Sequence, residues 1–524
     1  MILNFENNKE KKIDCCFVIV DNAKKSYQGL SNTYSAIEPP TWALLLSESI
    51  RSIGFNPKII DANAEMLTRE AILKKIKDLN PKLICFVVYG QNVNAGTTNM
   101  SGVIYVSEFL KKNNININIS IIGSHVQALP IETLKKEKSI DFVFTNEAVY
   151  ALRNILKLEN FDSKNLKNIK GIAYREKEKI FITQPEKIVS NERMDIDLPG
   201  YAWDLLPFKE KPLDLYRSPM WHAEYDFEKR TPYASLQTSL GCMFGCSFCM
   251  INLINRDDND EIGVASNYSK MRFWSTDFII KEFDKLISMG VKTIRIVDEM
   301  FLLNPKYYIP LCEKLVERNK DDTLRIWSYS RIDTVKRPEI LKLVRKAGIK
   351  WLALGIESAD KKVRIAVDKG KFEDVDVREV IERVHAADIN VIANYIFGLP
   401  GDTKETINKT IKLSLELCTA GWNTYPAMAL PGSELYKDAF NSGMKLPENY
   451  EGYSFHSYET IPLSNENLSA KDVITLRDEA FNIYHKDKSF LKSIENKFGK
   501  IAVENIINMT KVKLKRKIKG DLKN

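Results

Sequence analysis

The stretch GCMFGCSFCM, residues 241–250, sets Cys242, Cys246 and Cys249 within eight positions of a 524-residue chain that has eight cysteines in all. Eight cysteines over this length do not make a disulfide framework, and in a reducing compartment such residues ligate metal or pack in cores. A structural zinc ion wants four protein ligands, and the nearest histidine upstream, His222, stands twenty residues away on an irregular segment. Three thiolates alone suit iron better. A 4Fe-4S cluster has four iron corners, so three cysteines leave one iron open to a small molecule.

Around this loop the chain alternates strand and helix. YASLQTS (233–239), KTIRIVD (292–298), TLRIWSYS (323–330), KWLALGI (350–356), NVIANYIFG (390–398) and WNTYPAMAL (422–430) read as strands, with helical spacing between them. Six such units curve into a partial (β/α)6 TIM-like barrel with its active centre at the carboxyl ends of the strands, and the cysteines follow the first strand directly. The start of the chain has the same rhythm: strands at 15–21, 56–65, 82–90, 118–124 and 141–146, with helices at 39–54, 68–79 and 101–113. That pattern predicts an α/β, doubly wound, Rossmann-like parallel sheet, which binds ligands at the carboxyl ends of its strands. The expected organisation is a sheet domain over 1–155, a connector with a β-hairpin over 156–230, the barrel over 231–436 and a helical cap over 437–524.

With 44% hydrophobic and 28% charged residues the chain reads as globular. No stretch has the length of a membrane span and the start lacks a signal-peptide pattern, which places the protein in the cytoplasm. The net charge of +8 is modest, and the basic tail TKVKLKRKIKGDLKN reads as a solvated, frayed helix end rather than a nucleic-acid or membrane element. Cys15, Cys16 and Cys85 fall on apolar strands; Cys312 and Cys418 fall at core helical spacing.

The spacing C-x3-C-x2-C, with Phe248 before the last cysteine, resembles the signature of the radical S-adenosylmethionine (SAM) enzymes. The resemblance implies that the open iron chelates SAM and that one electron cleaves SAM to a 5'-deoxyadenosyl radical. It also implies SAM contacts from Phe248; from Asp298 or Glu299 in VDEMFLLN; from Ser330 and Arg331; from Glu357 and Ser358 in GIESAD; and from Gly398, Pro400 and Gly401 in YIFGLPGD. Plain structural roles stand beside these: a surface ion pair for Arg331, an N-cap for Asn304 and a helix-capping pair for Asp402 and Glu405. No second cysteine cluster appears, which argues against the methylthio-transferring branch.

Residues 12–155 resemble the cobalamin-binding domain of a branch of these enzymes. Tyr89, Gly90, Gln91 and Asn92 at one strand end, and Gly123, Ser124 and His125 at another, are the implied corrin contacts. A D-x-H-x-x-G motif is missing, so His125 either shapes its loop or ligates cobalt. A generic nucleotide or flavin sheet is the rival, weakened by the lack of G-x-G-x-x-G. Together the resemblances imply a methyltransferase using a 4Fe-4S cluster, SAM and cobalamin on a small-molecule or biosynthetic-intermediate substrate, with a flavodoxin or ferredoxin as electron donor. The alternatives are a radical oxidoreductase or cyclase without methyl transfer, and a non-enzymatic corrinoid or iron-sulfur sensor. Residues 200–230, the insert at 251–275 and the cap are expected to read the substrate, with Trp221 and Arg256 as candidate contacts.

Overall fold

The computed structural model describes residues 12–20, 23–31, 33–89, 93–218, 232–335, 337–367 and 375–523. Its first sheet has seven strands: β1 (Cys15–Ile19), β2 (Pro57–Asp61), β3 (Leu83–Val88), β4 (Asn118–Gly123), β5 (Phe142–Phe144), β6 (Ile172–Glu176) and β7 (Lys179–Ile182). The order is β2-β1-β3-β4-β5-β6-β7. β1 to β5 pair in parallel, and their apolar runs, such as LICFVV in β3, are what burial on both faces requires. Helices α1 (Thr41–Arg51), α2 (Arg69–Leu79) and α3 (Gly96–Lys112) lie between the strands in sequence. The hairpin expected in a connector is there as β6 and β7, but it continues this sheet, β6 pairing antiparallel with β5. Its local pattern showed two strands; nothing local showed their partner.

The second sheet runs β8 (Tyr233–Leu236), β11 (Thr293–Ile296), β12 (Arg325–Arg331), β13 (Ile349–Glu357), β14 (Asn390–Phe397) and β15 (Gly421–Pro426), all parallel and in chain order. This is the expected half-barrel. Between its strands lie α4 (Thr276–Ser288), α5 (Pro305–Arg318), α6 (Pro338–Lys346), α7 (Val377–Ala386) and α8 (Lys404–Leu417). Asn304 caps α5 with Pro305 at its first position, as the sequence predicts. At α8 the expected pair is displaced by one residue: Thr403 and Thr406 form the capping box, while Glu405 pairs with Lys409 at 2.9 Å.

The segment read as one strand over 233–239 is split. After β8 the chain leaves the barrel and forms a two-stranded antiparallel ribbon from β9 (Ser239–Cys242) and β10 (Lys270–Phe273). The break is held by Asp298, whose carboxylate accepts hydrogen bonds from Thr238 N, Thr238 Oγ1 and Ser239 Oγ, each at 2.6 Å.

The cap comprises α9 (Ala470–His485), α10 (Lys488–Phe498) and α11 (Lys500–Lys511). The basic tail after α11 is tied down rather than frayed. Arg516, buried, forks onto Asp478 at 2.8 and 3.1 Å and donates to Ser457 O at 3.0 Å. Gln28 of the first domain reaches Lys515 O and His456 O, so the cap bridges both domains. Burial works to raise the Asp478 pKa, but Arg516, Arg477 and Lys519 outweigh it and hold the carboxyl at about 2. A depressed carboxylate stabilises the fold above its unfolded pKa of about 3.9 and loses that contribution as pH falls through the folded value. Amide exchange over residues 512–521 should therefore show protection that Asp478→Asn lacks above about pH 4, the difference fading toward pH 2. Arg516→Ala, which removes the fork tying the tail to Asp478 and Ser457 O, should expose the tail to trypsin at least about tenfold faster.

Candidate functional site

The cysteine loop is built from its neighbours inward. Gly241, with φ +80°, precedes Cys242 where any Cβ would sit 2.1 Å from Lys270 O, so only glycine lets β9 and β10 close there. Asn252 clamps the start of the loop twice: its Oδ1 accepts from Cys242 N at 2.8 Å and its Nδ2 donates to Phe244 O at 3.1 Å. Phe244 N points at Cys242 Sγ at 3.4 Å, and Cys249 N closes a turn on Cys246 O at 3.0 Å. Asn255 donates to Lys270 O at 2.8 Å and accepts from Arg272 Nη2 at 2.8 Å. Arg272 in turn meets Glu147 of the first domain at 2.7 Å, both side chains being fully buried.

Cys242, Cys246 and Cys249 line one cavity of about 510 Å³ at the carboxyl ends of the barrel strands. All three are free thiols, and burial pushes Cys242 up to about 11 and Cys249 up to about 12. Among the described residues no three His, Cys, Asp or Glu side chains gather closely enough to hold a single metal ion. The three thiols face one space, an arrangement that suits a cluster with several metal corners.

Of the residues expected to meet SAM, Phe248, Glu299, Ser330, Arg331 and Glu357 line this cavity. Burial pushes the Glu299 carboxyl up to about 7, against the opposing pull of Arg295. Arg331 pairs with Asp333 at 3.0 Å and lies 3.9 Å over the Phe244 ring. Glu357 has φ +61° at a register shift in β13, a left-handed conformation that a non-glycine residue holds only where its surroundings impose it. The others do not line the cavity. Asp298 holds the β8–β9 break, as described above. Ser358 faces Thr410, accepting from Asp360 N at 3.1 Å. Gly398 N donates to Asp402 Oδ2 at 2.9 Å, folding the Gly398–Pro400–Gly401 loop onto itself, and Ala427, Met428 and Leu430 supply the wall instead.

A second cavity, of about 140 Å³, lies between the two domains. One wall is the carboxyl ends of β1 and β3 with Tyr89, Asn63, Thr98 and Asn99; the other is Gln237 and Val297 at the barrel strand ends with Gly241 of the β9–β10 ribbon. It shares Tyr27, Glu38 and Thr98 with the larger cavity. Gln237 Oε1 is buried there with no hydrogen-bond partner, an acceptor that fits the amide-rich rim of a corrinoid. Tyr89 faces this space, its hydroxyl accepting from Gln127 at 2.6 Å. Gly123, Ser124 and His125 line neither cavity. Any Cβ at Gly123 would meet Val88 O at 2.1 Å, and His125 is buried against Thr97 at 3.2 Å and the Tyr450 ring, its pKa pushed down to about 3 by burial. Gly90, Gln91, Asn92 and Trp221 lie outside the described residues. Arg256, expected at the substrate, is instead 1% exposed, with its guanidinium on Asp258 and on Gln127 O of the first domain.

Sequence reasoning missed Asn94, whose Oδ1 accepts from Met250 N at 3.2 Å beside the cysteines, together with Gln237 and the clamp Asn252. The polar run NVNAG after β3 was the available signal for Asn94; Gln237 and Asn252 had none.

The family comparisons agree with this geometry. A radical SAM superfamily model matches residues 236–414 and a B12 binding domain model matches residues 27–156. The chain is 25% identical over 476 residues to an uncharacterized methyltransferase of Pyrococcus horikoshii, covering 90% of this chain and 94% of that protein. It is 24% identical over 406 residues to an anaerobic magnesium-protoporphyrin IX monomethyl ester cyclase of Cereibacter sphaeroides, covering 74% of this chain and 58% of that protein. The structure of the radical SAM methyltransferase TsrM from Kitasatospora setae aligns with a TM-score of 0.63 at 13% identity, over 91% and 90% of the two chains. The chain is a radical SAM enzyme with a B12-binding domain. Its fold is that of the TsrM structure.

Replacing any of Cys242, Cys246 or Cys249 by Ala should abolish the broad iron-sulfur absorbance of anaerobically reconstituted protein and lower bound iron at least about tenfold. Cys312→Ala, a change in the core of α5, should leave both intact.

Proposed function

We propose that this enzyme transfers a methyl group by way of cobalamin to an unactivated carbon of a small-molecule substrate. The observation that carries the reading is the shared wall: the cavity lined by the three cysteines abuts, through Tyr27, Glu38 and Thr98, the slot at the strand ends of the B12-binding domain. When bound, the cluster with SAM supplies a carbon-centred radical and the corrinoid supplies a transferable methyl group. Cys242, Cys246 and Cys249 hold the cluster. Glu299, Ser330, Arg331 and Glu357 orient SAM, and the buried walls keep water from the reacting atoms. Tyr89, Asn63, Thr98 and the unpaired Gln237 Oε1 meet the corrinoid rim. A flavodoxin or ferredoxin supplies the electron, in the cytoplasm.

The relationship to the cyclase of Cereibacter sphaeroides supports a second reading, radical oxidation or cyclisation without methyl transfer. Anaerobic, reduced enzyme with methylcobalamin and SAM should form 5'-deoxyadenosine, and Glu299→Gln should slow it about 10–100-fold through weaker placement of SAM. A product heavier by one methylene unit supports methyl transfer; an unchanged or lighter carbon skeleton supports the second reading; no 5'-deoxyadenosine under any reductant would sink both.

A further inference from the structure

The larger cavity does not stop at the cysteines. It follows the barrel's open edge, where residues 420 to 428 all contribute to its wall, so it runs the length of β15. At the rise of an extended strand that is roughly 20 Å. Two features of the sequence keep it open. The barrel floor carries Ala353, Gly355 and Gly421, where larger side chains would fill the interior; a Cβ at Gly421 would already meet Ile392 at 2.9 Å. Among the described residues the sheet has no strand beyond β15, and Phe481, Phe490, Ile506 and Met509 of α9, α10 and α11 line the same cavity as Trp422.

The charged side chains along this space are already engaged with partners. Three arginines line it: Arg295 pairs with Glu38 and Arg331 with Asp333 at 3.0 Å, while Arg477, which shares Asp478 with Arg516 and Lys519, has its donors engaged by Thr424 O, Asp478 Oδ1 and His456 Nε2. Among the described residues no lysine lines it. His456, pressed between Arg477 and Arg516, has its pKa lowered well below the usual range and adds no positive charge. Glu299 and Glu357, at the cysteine end, add no positive charge. An anionic group brought to Arg295 finds a cation already offset by Glu38, and desolvating its charge there would be costly. Two donors do stand ready. Arg295 is 1% exposed and is held over the Trp327 and Tyr329 rings at 4.6 and 5.2 Å, and its Nε and Nη2 have no hydrogen-bond partner. With its charge offset by Glu38, this fork suits a neutral oxygen.

We propose that the substrate is a neutral amphiphile, its elongated apolar body seated among Trp422, Phe481, Phe490, Ile506 and Met509 and a hydroxyl or carbonyl oxygen taken by Arg295 Nε and Nη2. This deepens, and rests on, the reading of the cysteine end as the radical SAM centre. It selects isoprenoid- or lipid-like molecules over nucleotides, phosphorylated sugars and free amino acids.

Retinol, a neutral isoprenoid alcohol, and retinoate, the same skeleton ending in a carboxylate, probe the site directly by equilibrium dialysis against the anaerobic full-length chain carrying its cluster. Retinol should bind saturably, with retinoate at least about tenfold weaker because its charge enters uncompensated. Met509→Trp, which fills the apolar end, should weaken retinol at least about tenfold, the size expected of a blocked apolar contact. Ile507→Trp, on the exposed face of the same helix, should not; circular dichroism confirms that both variants are folded. Retinoate binding as tightly as retinol, no saturable retinol binding, or binding indifferent to Met509→Trp would each overturn the proposal. In any of those cases, formation of 5'-deoxyadenosine by the same wild-type preparation shows that the radical SAM reading survives; its absence shows that the underlying reading has failed.

Discussion

A buried ion pair between Arg272 and Glu147 joins the two halves of the molecule at the base of the cysteine loop. Arg272 sits on β10, against the strand that ends in Cys242; Glu147 follows β5 in the first sheet. The guanidinium also donates to Val189 O and Asn255 Oδ1, each at 2.8 Å, and the carboxylate accepts from Val189 N at 2.5 Å. A pair so deeply placed adds little net stability, but losing one partner leaves a bare charge in the interior, at about 3–5 kcal/mol. Its consequence is geometric. The ribbon that carries the cysteines is fixed to the first domain, so the strand ends of the B12-binding domain and the open end of the barrel face a common space.

Much of this was legible in the sequence because the elements are periodic. Apolar strands and amphipathic helices alternate in both halves, and the half-barrel, the parallel sheet and the cap on α5 at Asn304 follow from local pattern. The cysteine spacing pointed to a loop that lines the larger cavity. What could not be read were pairings between distant segments: β6 joining the first sheet, the β9–β10 ribbon, and Arg516 pinning the tail to Asp478. Each depends on a partner far away in the chain, which spacing does not encode.

The same limit governs the individual site residues. Glu299 and Asp298 are adjacent and chemically alike, yet one faces the cavity and the other ties Thr238 and Ser239 across the β8–β9 break. Sequence distinguishes neither. His125 and Gly123 sit where a strand end was expected to meet a ligand, but close packing against Thr97 and Val88 O turns them inward. Gln237, unremarkable in sequence, becomes informative only because the structure leaves its buried oxygen without a partner.

The account stands on three cysteines holding a cluster whose remaining iron is left to SAM. Electron paramagnetic resonance of the anaerobic, chemically reduced chain, recorded before and after SAM is added, tests this most directly. The account predicts one cluster signal per chain whose g values move when SAM binds. A signal that SAM leaves unchanged, or a stoichiometric zinc ion in place of iron, would contradict it.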